Sequence, residues 1–468
     1  MNKKTLFTKT LLSSALLAVA GGAQAASFQL AEVSSSGLGR AYAGEAAIAD
    51  NASVVATNPA LMTLFKTNQF SAGGVYVDSK IRVSGKATAT VATPIGNITT
   101  DGDLTNNNVV PGAFVPNMYF VAPINDKFSM GAGMNVNFGL KSEYGKDYDG
   151  GVFGGKTDLT TMNLNLSGAY RVTEGFSFGA GINAVYAKAK VERTAGILDG
   201  TLAKTVALAN SPAGQAAIAN LAAQNPQLAA AAAPKLAQLA AANAAIEHGS
   251  TVTHLEDKNA WGFGWNLGLL YEFNARHRIG LAYHSKVDID FKDGAAIGNG
   301  RHGAGGLTLH LPSYWEISGF HQLTDAFAVH YSYKRTKWSR LQNLHATYDS
   351  DGAEAFHKDL NYHDTSRFAL GGTYQVNDKL TVRAGVAYDK AAGEATAAIP
   401  DTNRTWYSLG ATYAFTPALS VDFGFSHLRG KKIHFQENQK VLNAIEVQGD
   451  YYSKSSANLY GLNVNYSF

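Results

Sequence analysis

Long stretches of this chain alternate between apolar and polar positions. Residues 163–170 read NLNLSGAY: Leu164, Leu166, Gly168 and Tyr170 share one parity, and Asn163, Asn165 and Ser167 share the other. Residues 261–271 put Trp261, Phe263, Trp265, Leu267, Leu269 and Tyr271 on one face and Gly262, Gly264, Asn266 and Gly268 on the opposite one. Successive side chains of a strand point to opposite faces, so this period of two separates two environments. Short polar turns punctuate the pattern: Asn125-Asp126, Thr173-Glu174-Gly175, Asn274-Ala275, Leu323-Thr324-Asp325, Asn377-Asp378 and Thr416-Pro417-Ala418. Counting strand pairs across these turns predicts strands at 68–82, 109–123, 127–142, 158–171, 175–192, 257–273, 277–291, 306–322, 326–339, 358–376, 379–391, 401–415, 419–436 and 453–468. That is an even number, fourteen, joined alternately by short turns and long loops, as in a transmembrane barrel.

A soluble sandwich also alternates, and the last strand decides between the two. Tyr460, Leu462, Val464, Tyr466 and Phe468 alternate with the small or polar Gly461, Asn463, Asn465 and Ser467, and the sequence stops on the aromatic Phe468. This resembles the closing strand of bacterial outer-membrane barrels, which the outer-membrane assembly machinery reads.

Two segments fall outside the strand series. Residues 26–67 are small-residue-rich, contain the triplet Asn58-Pro59-Ala60, and carry too little charge for a free tail. An ordered segment of that length with no place in the wall is expected inside the lumen as a plug, or hatch. Residues 193–256 are Ala-rich over 200–246, with Leu221, Leu228, Leu236 and Leu239 at helical spacing. Alanine favours helix, while Pro212, Pro226 and Pro234 are expected to divide the stretch into short helices. A low-complexity surface loop is one reading. The other is a helical cap whose four leucines form an apolar groove at the barrel mouth.

Composition agrees with a membrane barrel. Charged residues are 16% of the chain, Gly 48, Tyr 22, Phe 23 and Pro only 11. No apolar run after residue 25 approaches the ~20 residues of a membrane helix. Residues 1–25 carry Lys3, Lys4 and Lys9, then the short apolar run LLSSALLAVA, then Ala23-Gln24-Ala25. This order is that of a secretory signal peptide. Lys and Arg total 39 against 36 Asp and Glu, so losing those three lysines leaves the charges in balance. That disfavours nucleic acid as a partner. With no Cys, disulfides, thiolate metal sites and Cys nucleophiles are excluded. No HExxH, Walker or G-x-S-x-G pattern occurs, and His284-Ser285 and Ser426-His427 are sequence neighbours whose side chains point to opposite faces. We read a non-enzyme without cofactor or metal.

Several motifs resemble the FadL-type long-chain fatty acid transporters: Phe28-Gln29-Leu30, the run from Ser34 to Tyr42 (SSSGLGRAY), Asn58-Pro59-Ala60-Leu61, Val115-Pro116-Asn117, the run from Phe120 to Asp126 (FVAPIND), that from Met162 to Tyr170 (MNLNLSGAY), Ile399-Pro400-Asp401 and the closing run Asn463 to Phe468. The resemblance covers essentially all of 26–468 and is weakest at 86–108, 200–256, 292–306 and 438–452, which we expect to be loops. It implies an all-β fold: a fourteen-stranded antiparallel transmembrane barrel (68–468), the N-terminal hatch (26–67) inside its lumen, and short helices in an outer loop. It further implies a monomer in outer-membrane lipid that takes long-chain fatty acids or other hydrophobic compounds. The ligand rests first in an outer groove, moves to a tighter pocket above the hatch, and leaves sideways where the third strand kinks.

The same resemblance assigns roles. Arg193, where the fifth strand meets the Ala-rich loop, matches the arginine of the tight pocket. The reading against it is a rim arginine paired with Glu192. His345 stands where the family often has a lysine as second head-group partner, and a neutral imidazole carries little charge there; the reading against that role is a solvated loop histidine. Phe28 is a pocket-floor residue. Asn58, Pro59 and Ala60 are a shape element of the hatch. Gly131, Gly133 and Gly139 in the third strand are candidates for the kink, because interior strand glycines often mark a bend; for any one of them the other reading is a glycine that faces a crowded barrel interior. The competing functions are a surface adhesin or antigen whose long loops bind host surface proteins, and uptake of another hydrophobic compound such as an aromatic hydrocarbon.

Overall fold

The computed structural model describes residues 28–93 and 96–468; the leader expected at 1–25 lies outside the described residues. The chain forms one closed antiparallel barrel of fourteen strands. They are β1 (Gln69–Thr93), β2 (Ala113–Pro123), β3 (Phe128–Asn135 and Gly139–Glu143), β4 (Lys156–Arg171), β5 (Phe176–Thr194), β6 (Thr251–Asn274) and β7 (His277–His284 and Val287–Gly298). There follow β8 (Arg301–Leu311 and Tyr314–Gln322), β9 (Phe327–Thr336 and Asn343–Tyr348), β10 (Glu354–Asp359 and Thr365–Gln375), β11 (Leu380–Asp389), β12 (Arg404–Ala414), β13 (Leu419–Gly430 and Ile433–Val441) and β14 (Ile445–Ser467). β14 closes on β1 in a ladder from Gln69↔Ser467 to Val91↔Ile445, which leaves the wall without a sheet edge at that seam. The outward face carries exposed Phe114, Leu166, Ile182, Phe263, Leu409 and Leu462, as lipid contact requires.

Three of the expected loops are strand instead. β1 runs on past residue 82, and its outer end pairs with a return strand Gly96–Asp103. The outer ends of β7 and β8 pair across 292–306, and β13 and β14 pair across 438–452. Above the hydrocarbon the outward face is polar while the inward face stays buried at Ala87, Ala89, Val91, Ile445, Val447 and Tyr451, so the period of two runs on beyond the expected strand ends.

The N-terminal segment lies inside the barrel. It holds two single-turn helices, α1 (Ser35–Leu38) and α2 (Val54–Thr57), and a 3-10 helix (Pro59–Leu64). Asn58 caps the last of these, its side-chain oxygen accepting from Ala60 N at 3.0 Å, with Pro59 at the first helical position. The Asn58 amide also donates to Ala46 O at 2.7 Å and to Leu269 O of the wall at 3.0 Å.

β3 is interrupted at Val136, Asn137 and Phe138. There Leu30 N donates to Asn137 O at 2.8 Å and Gly139 N donates to Phe28 O at 2.9 Å, so the start of the hatch stitches the break. Below the break β3 pairs with β2 from Met118↔Met134 to Pro123↔Ser129; its outer piece pairs only with β4. The placement expected for the kink is corrected accordingly. Gly131 and Gly133 sit in the intact lower piece. A Cβ on Gly131 would stand 2.5 Å from Met62 Sδ, so that glycine makes room for the hatch. Gly139 is the first residue beyond the break.

The outer loop forms three helices, α3 (Leu198–Asn210), α4 (Pro212–Gln224) and α5 (Pro226–Ala245). Pro212 and Pro226 start helices as expected. Pro234 does not divide the stretch; it lies inside α5. An interior proline costs about 3 kcal/mol, and the Ala-rich helix around it carries that cost.

Candidate functional site

The inward faces of the strands change character with height. Near the short turns polar residues hold the hatch, beside apolar ones such as Val121, Ala169 and Leu270 that pack with its Val54, Leu61 and Met62. Ser35 N and Oγ donate to Asn463 Oδ1 at 3.0 and 2.6 Å, Gly44 N to Ser332 Oγ at 2.7 Å, Ala46 N to Ser318 Oγ at 3.1 Å and Ala52 N to Ser71 Oγ at 3.2 Å. From the wall, Tyr119 donates to Val33 O at 2.8 Å, Arg278 to Ala47 O at 2.6 Å and Arg367 to Ala41 O at 2.8 Å. The hatch backbone is irregular, and wall side chains satisfy the groups that no ladder can. Buried Arg40 pairs with Glu45 at 2.6 Å and Asp50 at 2.7 Å, and Arg383 of the wall reaches the same Asp50 at 3.3 Å. Close packing needs glycine on the wall: a Cβ on Gly410 would stand 2.6 Å from Gly39 Cα.

Above the hatch the inward residues are apolar. Leu159, Val185, Ile289, Phe291, Leu309, Leu311 and Leu360 are buried in one cluster with Phe28, Phe138 and Trp338. Phe28 and Trp338 meet edge-to-face at 4.8 Å between centroids, Phe28 and Phe138 at 6.3 Å, and Trp338 and Tyr362 at 5.7 Å. Phe28 therefore lies where the hatch meets this outer lumen. The buried Trp338 Nε1 finds no acceptor among the described residues, which is costly in so apolar a setting.

Arg193 lies at the end of β5 on the parity of Val185, Ala187 and Val191, and is 5% exposed. Its guanidinium donates to Glu192 O at 2.8 Å, Lys156 O at 3.2 Å and Thr157 Oγ1 at 3.2 Å, and stands 6.0 Å over the ring of Phe356. All three acceptors are neutral. The Glu192 carboxylate points to the other face and meets Lys190 at 3.2 Å. Among the described residues Arg193 is thus a buried cation without an ion pair.

His345 is placed elsewhere, which corrects the expectation that it meets a ligand in the lumen. Ala346 and Tyr348 point inward into the apolar cluster, so their neighbour His345 points outward. There its Nε2 is 3.5 Å from Glu354 Oε2, beside His357.

The helical cap packs on the outer end of the barrel through Leu198, Leu202 and Leu239, against Val83, Tyr144 and Phe153. Of the four leucines singled out by spacing, Leu239 is buried, Leu221 and Leu236 are half-buried and Leu228 is exposed. His248, in the loop after α5, bonds Asp199 of α3 at 3.0 Å and lies 3.4 Å from Asp147. The bond to Asp199 raises its pKa above the ordinary histidine value.

A closed barrel in the outer membrane, plugged by its own N-terminal segment and apolar above the plug, defines a channel for hydrophobic compounds rather than a water-filled pore. Residues 16–468 match the family described as outer membrane protein transport protein (OMPP1/FadL/TodX), and the chain belongs to it. It is 57% identical to outer membrane protein P1 of Haemophilus influenzae over 479 residues, covering 99% of each chain. It is 43% identical to the long-chain fatty acid transport protein of Escherichia coli (strain K12) over 487 residues, covering 100% of each. The fold matches the crystal structure of a Pseudomonas aeruginosa FadL homologue with a TM-score of 0.73 at 23% identity, over 95% of this chain and 100% of that one. It also matches the toluene transporter TodX of P. putida with a TM-score of 0.60 at 19% identity, over 90% and 95%.

Proposed function

We propose that this member of the family carries long-chain fatty acids inward, with Arg193 receiving the carboxylate and the outer lumen receiving the tail. The observation that carries this reading is the buried guanidinium of Arg193, satisfied only by neutral acceptors beside a large apolar cluster. A buried cation with no carboxylate in contact is costly, and a ligand carboxylate supplies that contact through charge-assisted bonds. Each buried CH₂ of a tail contributes about 0.8 kcal/mol, which drives capture without selecting one chain length. Leu221, Leu228 and Leu236 offer an apolar entry surface on the cap, while Leu239 holds the cap in place. Phe28 is the floor of the lumen, and Asn58, Pro59 and Ala60 keep the shape of the hatch beneath it. Release is proposed sideways at the interruption of β3, where the outer pieces of β2 and β3 are not paired with each other and Phe28 stitches the gap.

The test is the affinity of Arg193→Ala for a fatty acid and for the matching alcohol. The acid is expected to lose about 1.5–3 kcal/mol more than the alcohol, because only the acid loses a bond to a charged group. Equal losses overturn the carboxylate role. A second reading, uptake of an aromatic hydrocarbon, draws on the aromatic set Phe28, Phe138, Trp338 and Tyr362. Toluene binding undisturbed by Arg193→Ala, together with no binding of fatty acid, favours it.

A further inference from the structure

The outer hairpin of β9 and β10 (Asn343–Tyr348 with Glu354–Asp359) brings together two histidines and two carboxylates on its outward face. His345 and His357 are direct cross-strand partners, so their side chains emerge on the same side, with ring centroids 5.4 Å apart. Glu354 joins them because of a bulge. The register runs Ala346↔Phe356 and then Thr347↔Glu354, which leaves Ala355 as an extra residue. Residues three apart on a regular strand face opposite ways; the bulge turns Ala355 and Phe356 both toward the lumen and sets Glu354 beside His357.

The separations are those of co-ligands rather than of hydrogen bonds. His345 Nε2 is 3.5 Å and His357 Nδ1 is 3.6 Å from Glu354 Oε2. Both are beyond a good N–H···O bond. Two ligand atoms about 2.0–2.1 Å from one tetrahedral ion stand about 3.4 Å apart. The three donor atoms all lie within 4.8 Å of one another. The fourth group supplies an independent pointer. Asp359 Oδ1 accepts from His357 Nε2 at 2.9 Å, which places the ring proton on Nε2 and leaves the Nδ1 lone pair facing Glu354 and His345. A carboxylate behind a histidine is the arrangement that orients and strengthens histidine as a metal ligand.

We propose that this hairpin binds one transition-metal dication of the zinc class, through His345 Nε2, His357 Nδ1 and Glu354 Oε2, with water completing the coordination. Two imidazoles and a carboxylate suit zinc, copper or nickel, whereas calcium and magnesium require mostly oxygen ligands. The two neutral imidazoles and the two carboxylates, Glu354 and Asp359, balance the charge of a dication. The inward face of the same hairpin carries Phe356, over which Arg193 stands, so the ion braces the wall behind that arginine. The site itself depends only on the hairpin and not on which hydrophobic compound is carried.

The test uses full-length, untagged protein in detergent, stripped with chelator and titrated calorimetrically with zinc chloride, and separately with calcium chloride. Zinc is expected to bind at one equivalent, and calcium is not. His345→Gln and His357→Gln should each abolish that equivalent, and Asp359→Asn should weaken it about 10–100-fold while leaving the stoichiometry intact. These side chains are solvent-facing, and an unchanged melting temperature without metal shows that the variants fold. Zinc absorption spectra of the loaded protein should report two nitrogen ligands and at least one oxygen. The proposal is overturned if zinc binds no better than calcium, or if the double variant His345→Gln/His357→Gln keeps the same equivalent at the same affinity. The chain has 13 histidines, so the double variant is what separates this site from scattered surface binding.

Discussion

The lower and upper halves of the lumen are built from the same strands and the same inward parity, yet they do opposite work. Around the hatch Ser, Asn, Asp and Arg of the wall bond the plug, set among apolar wall residues such as Val115, Trp406 and Leu459 that pack against it. Above it the inward residues are Leu, Ile, Val and aromatic residues that meet one another. Alternation therefore decides only that a residue faces in; which half it occupies decides whether it holds the plug or accommodates cargo. Arg193 shows the difference. Arg40 and Arg383 of the lower half each touch a carboxylate, whereas Arg193 at the upper rim touches only neutral oxygens.

The largest effect comes from removing what the lower half holds. Deleting residues 28–64 should leave a folded barrel with an open pore, raising single-channel conductance in planar bilayers by roughly an order of magnitude or more, since a barrel of this strand number encloses a wide lumen. Conductance no higher than that of the intact chain would contradict a plugging role. A milder break is Asp50→Ala, which strips Arg383 of its counter-charge while Arg40 keeps Glu45. The Asp50 side chain is 28% exposed, so the loss falls below the ~3 kcal/mol of a fully buried pair; hatch docking should still weaken and channel openings become more frequent. Silent channels would mean that these charges do not anchor the plug.

Changes in the cap sharpen the upper half. Leu239→Gln should cost about 1.5–3 kcal/mol of cap stability through lost burial, seen as faster amide exchange over 195–250. Leu228→Gln, at an exposed position, should leave exchange unchanged and slow only the uptake of dilute fatty acid. The reverse pattern would exchange the roles given to the two leucines. The smallest effect is a pH dependence at His248. Its pKa is raised in the folded cap, so its tie to Asp199 is fully present at low pH and is lost as pH rises through that raised value. Amide exchange in the cap should therefore quicken with rising pH beyond its intrinsic base catalysis, and His248→Gln should remove the excess.

Much of this was legible in the sequence. The alternation at 163–170 and 261–271, the turn residues and the final strand specify the barrel, because lipid on one side forces contrast. The period of two runs on past the lipid at Ala87, Ala89 and Val91 and at Ile445, Val447 and Tyr451, but 86–108 and 438–452 mix it with Asn, Asp and Gly, residues of turns, and so they are expected as loops. The interruption of β3 was legible only as an expectation. Val136, Asn137 and Phe138 carry no glycine or proline, and the break is stabilised by Phe28 and Leu30, more than a hundred residues earlier. The parity of Arg193 with Val185 and Val191 already points it inward. The parity of His345 against Ala346 points it outward, as the reading of a solvated loop histidine has it. Trp338 gave no signal, since only three dimensions reveal an indole N–H without an acceptor.

The most direct test of the divided lumen is a crystal structure of the protein with a fatty acid carrying bromine at its tail end, the bromine located by anomalous scattering. The account predicts the carboxylate within hydrogen-bonding distance of the Arg193 guanidinium and the bromine among the apolar residues above the hatch. A ligand whose head group lies away from Arg193, or whose bromine falls in the polar zone around the hatch, would contradict it.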